Sequence, residues 1–183
     1  MVVTPTGMDS VLIELRRAAV SDVATVELAG MEVVRSWDVH DLLLADERAR
    51  AGSWWSVDAL AASVIEEMDS GGSRLATWLA SIGRDGFARE RAVARLALDP
   101  SFEVARLIAL RVIDPVEQVR ARAWKALQNR VSVEHARAVA PVFARLSCRL
   151  RGAEAMARYG LMFSGVDGKA LWSVLLEHSD RLG

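Results

Sequence analysis

The chain has 183 residues, of which 52% are hydrophobic, and its charged side chains nearly cancel to a formal net charge of −1. This length is sufficient for a domain with a sizeable core, and no apolar run approaches the length of about 18 residues that a membrane span needs. The single cysteine, Cys148, excludes an internal disulfide and suits a reducing cytoplasm, where we expect the protein to lie. We expect Cys148 to be a small core residue rather than a nucleophile.

The N-terminal region, residues 1–52, is acidic and shows no internal repeat. Its apolar periodicity predicts three helices. A stack of helical repeats needs its open apolar end covered by a different element. We therefore expect residues 1–52 to be a helical cap and residues 53–183 to be the repeat array.

Two adjacent tryptophans, Trp54 and Trp55, come directly before the next predicted helix pair, residues 56–68 and 73–82. They have two interpretations. They can pack against the helix entry as a hydrophobic staple, or they can form an exposed contact for a partner, because Trp is frequent among the residues that dominate binding energy.

The segment 84–130 repeats itself. Residues 91–98 align with residues 120–127 at an offset of 29, with five identities in eight positions. A period near 30, made of two helices of about 15 residues each, is typical of stacked helix pairs. The predicted pairs are residues 86–98 with 100–112 and residues 115–128 with 132–148.

An aspartate precedes each of three predicted helices, at Asp85, Asp99 and Asp114, and the last two are followed by Pro. Asp is a good N-cap and Pro a good first helical residue, so we expect helix starts near residues 86, 100 and 115. The middle helix, residues 102–113, is apolar on nearly every side and should lie between neighbours.

Two arginines fall inside apolar stripes on a helical wheel. Arg120 lies in the stripe of its helix, and Arg91 lies between Phe87 and Leu98. A buried guanidinium without a partner is too costly, so we expect each to pair with the aspartate that opens its unit. The expected structural pairs are Asp85 with Arg91 and Asp114 with Arg120.

The segments Asp85–Ala97 and Asp114–Leu127 resemble HEAT repeats, with the Asp and the Val-Arg at the usual places. The Leu-Ala-Leu-Asp-Pro spelling at residues 96–100 is also similar to leucine-rich-variant repeats, although the 15-residue spacing suits HEAT pairs better. The resemblance covers residues 84–130 well and residues 56–180 by periodicity. It implies an all-α fold, a right-handed α-α superhelix of short antiparallel helix pairs, and does not specify one function.

The patterns that usually mark catalysis, a metal or a cofactor are missing. No Gly-rich phosphate loop follows a strand, and the three histidines, His40, His135 and His178, form no metal-binding pair. Glu134-His135 and Glu177-His178 reverse the His-Glu order of HEAT-type di-iron hydroxylases. We therefore expect no catalytic residue, no metal and no cofactor.

The distribution of charge leaves two functions open. Residues 1–83 hold 6 basic and 13 acidic side chains, whereas residues 84–158 hold 15 and 8. We expect a non-catalytic scaffold that binds another protein; the alternative is a nucleic-acid-binding module that uses the Arg-rich face of residues 84–158. A third interpretation is that the acidic helices neutralise the basic ones. The candidate protein- or phosphate-binding residues are Arg89, Arg95, Arg106, Arg122, Lys125, Arg145, Trp54 and Trp55.

Overall fold

Helices make up all the regular secondary structure in the computed structural model, which describes residues 5–51 and 59–162. Ten α-helices and no β-strand lie in these two ranges, so the predicted all-α fold class is confirmed. Within them, no helix combines the length and the apolar character needed to cross a membrane. In chain order the helices are α1 (Pro5–Ala19), α2 (Ala24–Ser36), α3 (Val39–Ala51), α4 (Ala59–Ser70), α5 (Arg74–Ile82), α6 (Gly86–Leu96), α7 (Phe102–Arg111), α8 (Glu117–Gln128), α9 (Val133–Leu146) and α10 (Gly152–Met162).

The chain divides into two compact units, Met1–Ala92 and Val93–Gly183. In the first unit, α1 packs against α2, α3, α4 and α5, and α5 packs against all four of the preceding helices. Every residue from Leu75 to Ile82 in α5 is buried, so α5 supplies much of this core. The expected boundary between residues 52 and 53 lies inside this unit, and the division into a cap and repeats stays a prediction.

A carboxylate of α2 holds the N-terminus of α5. Glu27 Oε1 accepts hydrogen bonds from Ser73 Oγ at 2.9 Å, Arg74 N at 2.8 Å and Leu75 N at 3.2 Å. A negative charge at this end of a helix also interacts favourably with the helix dipole. Gly30, one turn further along α2, permits the close packing, because a Cβ there would lie 2.5 Å from Leu75 Cδ2.

In the second unit, α7 packs against α8 and α9, and α9 packs against α10. All residues of the segment 107–112 are buried, which confirms the prediction that this helix lies between neighbours. α7 and α9 are the second helices of consecutive predicted pairs, and their contact is the one that stacking of these pairs requires. The hand of a superhelix stays a prediction.

The three aspartates make the same local turn. The Oδ1 atoms of Asp85, Asp99 and Asp114 accept the backbone N–H two residues on, at 2.9, 2.9 and 3.0 Å respectively. α6 begins one residue after its aspartate, whereas α7 and α8 begin three residues after theirs. The predicted start near 86 is thus right, and those near 100 and 115 are two residues early, because Pro100 and Pro115 lie in the turn before the helix.

This difference shifts the alignment of the two repeats by two residues. Arg89 Nη1 donates to the carbonyl oxygens six and five residues before it, at 2.9 and 2.7 Å. Arg120 Nη1 donates to the oxygens at the same two positions before it, at 2.7 and 2.8 Å. Arg89 is therefore the structural equivalent of Arg120, at an offset of 31 residues, and the offset of 29 aligns the wrong side chains.

The expected pair of Asp85 with Arg91 is wrong for this reason. Arg91 is exposed, and its Nη2 lies 3.1 Å from Asp69 Oδ2 in α4. Phe87 and Leu98, expected beside it in the apolar stripe, are 77% and 85% exposed. The buried face of α6 consists instead of Ala88, Arg89, Ala92, Val93 and Leu96.

The expected pair of Asp114 with Arg120 is also changed. Arg120 contacts the backbone carbonyl of Asp114 rather than its carboxylate. The carboxylate pairs with Arg111, with Nη1 and Oδ2 3.3 Å apart and both side chains fully buried. Arg111 lies at the end of α7, so this ion pair ties the end of that helix to the turn before α8.

Candidate functional site: a basic groove between α8 and α10

One face of α8 lines a groove in the second unit. The residues on this face recur three or four positions apart, a spacing that places them along one side of a helix. Its members are Glu117, Arg120, Ala121, Trp124, Lys125 and Gln128. Most of them are exposed, but Trp124 is only 8% exposed and forms part of the apolar floor.

The opposite wall of the groove comes from the start of α10. Arg151, Glu154, Ala155 and Arg158 line it, again at helical spacing. Arg151 has a positive φ of 70°, a left-handed conformation that costs an ordinary residue free energy and that often occurs at functional sites. This turn is tight, because a Cβ on Gly152 would lie 1.7 Å from the carbonyl oxygen of Leu146 at the end of α9.

The groove has a volume of about 570 Å³, within the usual range for binding sites in proteins. The two walls meet where the guanidinium carbon of Arg158 lies 4.3 Å from the centre of the Trp124 ring. This cation–π contact covers a face of the indole. Val112, Ala121 and Ala155 supply the other apolar surface.

The charge of the groove is predominantly positive. Four cationic side chains line it, those of Arg120, Lys125, Arg151 and Arg158, against the two carboxylates of Glu117 and Glu154. Arg120 is held in place by its two carbonyl acceptors. Within the part of the chain that the structure describes, Lys125, Arg151 and Arg158 make no ion pair with a carboxylate. The groove can therefore attract an anion with an apolar part.

The structure separates the six cations that the sequence offered as contacts. Lys125 lines the groove, whereas Arg122, on the same helix, is exposed away from it. Arg145 is exposed on α9, and Arg95 and Arg106 are partly buried. The helical-wheel placement of Arg89 on the outside is wrong: it is 3% exposed, because it satisfies carbonyl groups at the end of α5. Trp54 and Trp55 lie outside the described residues.

Sequence reasoning missed Trp124, Arg151 and Arg158 as groove residues. At the offset of 31 residues, Trp124 aligns with Val93, so an indole stands where the other unit has a small aliphatic side chain. That substitution is a usable signal, but only in the corrected alignment. Arg151 and Arg158 have no such signal, since their position depends on how α10 packs on α9.

The residues with catalytic potential do not converge. Among the described residues, no group of three or more His, Cys, Asp or Glu side chains can hold a metal ion. Both ring nitrogens of His135 are in hydrogen-bonding range of an oxygen, Ser132 Oγ at 3.0 Å and Pro100 O at 3.3 Å. Cys148 is exposed after the end of α9, so its expected place in the core is wrong; its short distance from the helix end leaves it in a surface turn.

No protein-family model matches the chain, and no curated protein or solved structure is significantly similar to it. The resemblance of residues 84–130 to HEAT repeats therefore stays a prediction based on the residues themselves.

Proposed function

We propose that the chain is a non-catalytic helical scaffold that binds another protein, and that the groove between α8 and α10 is its contact surface. The observation that carries this proposal is the composition of the groove. An indole and arginines surround a small apolar floor, and Trp and Arg are enriched among residues that dominate the binding energy of protein interfaces.

A HEAT-type arrangement and a cytoplasmic location belong to the same proposal. The contact between α7 and α9 supports stacking of helix pairs, a design whose long surfaces commonly bind other proteins. A single, exposed thiol supports a reducing compartment, where such a side chain stays reduced.

Site-specific photocross-linking tests the proposal. A photoreactive phenylalanine derivative replaces Gln128, which lines the groove, and in a control protein it replaces Gln118, an exposed residue of α8 outside the groove. Each protein is irradiated in an extract of its natural host. We expect a discrete protein adduct from position 128 and none from position 118.

The alternative function gives a different result in the same experiment. Adducts at position 128 that disappear on nuclease treatment would assign the groove to nucleic acid. Equal adducts at both positions, or none, would contradict the proposal that this groove is the contact surface.

A further inference from the structure

We infer that the groove between α8 and α10 recognises a short acidic segment of the partner protein, with an apolar side chain among its carboxylates. The inference rests on the proposed function and adds the chemical nature of the ligand. Its basis is charge complementarity: four cations and two carboxylates line the groove, and complementary charge provides specificity and speeds association.

The arrangement of the groove determines what an occupant needs. Apolar surface from Val112, Ala121, Trp124 and Ala155 lies among the charged side chains. A purely charged ligand leaves this apolar surface without a contact, and a purely apolar ligand leaves the cations without one. A segment that carries both kinds of side chain satisfies the whole groove.

The length of the segment follows from helix geometry. The groove extends along α8 from Glu117 to Gln128, which is about 16 Å at a rise of 1.5 Å per residue. An extended chain advances about 3.3 Å per residue, so about five residues cover this distance.

The aromatic residue of the groove favours a peptide over a nucleic acid. Sequence-tolerant binding of single strands uses aromatic rings on which bases stack. Trp124 is 8% exposed, and Arg158 lies over its ring at 4.3 Å. The indole therefore offers little free face to a base, although its edge can contact an aliphatic side chain.

The test uses three fluorescent probes of similar size, measured by anisotropy at low and at physiological salt. The first is the acidic peptide Glu-Asp-Leu-Asp-Glu, the second its amide counterpart Gln-Asn-Leu-Asn-Gln, and the third an oligothymidylate with the same number of negative charges. We expect the acidic peptide to bind at least about tenfold more tightly than either other probe, and salt to weaken its binding.

Two charge reversals on one helix localise the site. Lys125→Glu reverses a charge in the groove, and Arg122→Glu reverses an exposed charge on α8 outside it. We expect K125E to weaken binding of the acidic peptide about tenfold and R122E to change it less than about twofold, because a screened charge at a distance contributes little. Circular dichroism of both variants confirms that they remain folded.

Four outcomes would overturn the inference: no binding of the acidic peptide at low salt, equal binding of the amide peptide, tighter binding of the oligothymidylate, or equal losses in K125E and R122E. The function and the ligand are separable. A protein adduct from position 128 without binding of the acidic peptide removes the acidic ligand and leaves the scaffold. Absence of that adduct contradicts the scaffold whatever the peptide does.

Discussion

Arg89 and Arg120 use the same Nη1 atom to bind the carbonyl oxygens five and six residues before them, although they lie 31 residues apart in the chain. Each arginine thereby satisfies carbonyl groups in the connection before its own helix, where helical hydrogen bonds are missing. The shared geometry, rather than the identity of neighbouring letters, defines the repeat.

Alanine substitutions at Arg89 and Arg91 test this alignment. We expect Arg89→Ala to lower the free energy of unfolding by about 2 kcal/mol, because buried carbonyls lose a charged donor. Arg91→Ala removes only an exposed ion pair with Asp69 and should cost about 1 kcal/mol or less. Denaturant unfolding measures both; a larger loss in R91A than in R89A would restore the offset of 29 residues.

The buried pair of Arg111 and Asp114 predicts a second difference. Asp114→Ala removes a turn-forming hydrogen bond and leaves the guanidinium of Arg111 buried without that partner, at an expected cost of about 3–5 kcal/mol. Asp85→Ala is the matched control, since Asp85 makes the equivalent turn but is exposed, and about 1 kcal/mol is expected. Thermal or denaturant unfolding that gave equal costs would show that the turn alone is responsible.

Arg130 predicts a requirement for a guanidinium. Its Nη atoms donate to the carbonyl oxygens of Ala126, Leu96, Ala97 and Asp99, at 2.6–3.2 Å, and burial lowers the pKa of this side chain. An ammonium cannot reproduce this planar set of donors. We expect Arg130→Lys to lower the free energy of unfolding by about 1–3 kcal/mol, whereas Arg137→Lys on exposed α9 surface should have no measurable effect. Equal stability of R130K and the unaltered protein would contradict the role of the fork.

Tyr159 predicts a pH dependence that one spectrum can follow, because it is the only tyrosine of the chain. Burial raises the pKa of its phenol well above the ordinary value, which is about 10. The folded state therefore holds the proton more tightly than the unfolded state. Its contribution to stability is complete below pH of about 10 and decreases as pH rises above that value.

The near-ultraviolet absorbance of tyrosinate measures this titration, and circular dichroism reports folding in the same samples. We expect phenolate to form only as the protein unfolds, and the Tyr159→Phe variant to lose this contribution to the alkaline decline in stability. An ordinary tyrosine titration in a protein that remains folded would show that Tyr159 is accessible.

Local sequence was sufficient for the helices but not for their relative alignment. The three aspartates marked the connections correctly, because a side chain that binds the N–H two residues on is a local interaction. The helical start after Asp114, however, is delayed by Pro115 and Val116 relative to the start after Asp85. That delay turned the predicted buried face of α6 towards Arg91 and Phe87 instead of Arg89 and Ala92.

The groove was less predictable because it depends on contacts between distant residues. Lys125 was a candidate from its exposed position on α8, but so was Arg122, and only the placement of α10 distinguishes them. The backbone at Arg151 and the close approach at Gly152 set that placement. Neither is visible in the periodicity of α10.

The indole resonances of the described tryptophans provide the most direct test of the groove as a binding site. Trp124 lies in it, whereas Trp37 and Trp78 pack edge to face in the first unit with ring centres 5.1 Å apart. The acidic peptide Glu-Asp-Leu-Asp-Glu is titrated into isotope-labelled protein, with each indole signal assigned by Trp→Phe substitution. We predict a saturable shift of the Trp124 signal and unchanged signals from Trp37 and Trp78; a Trp124 signal that stays in place while the peptide binds would contradict the account.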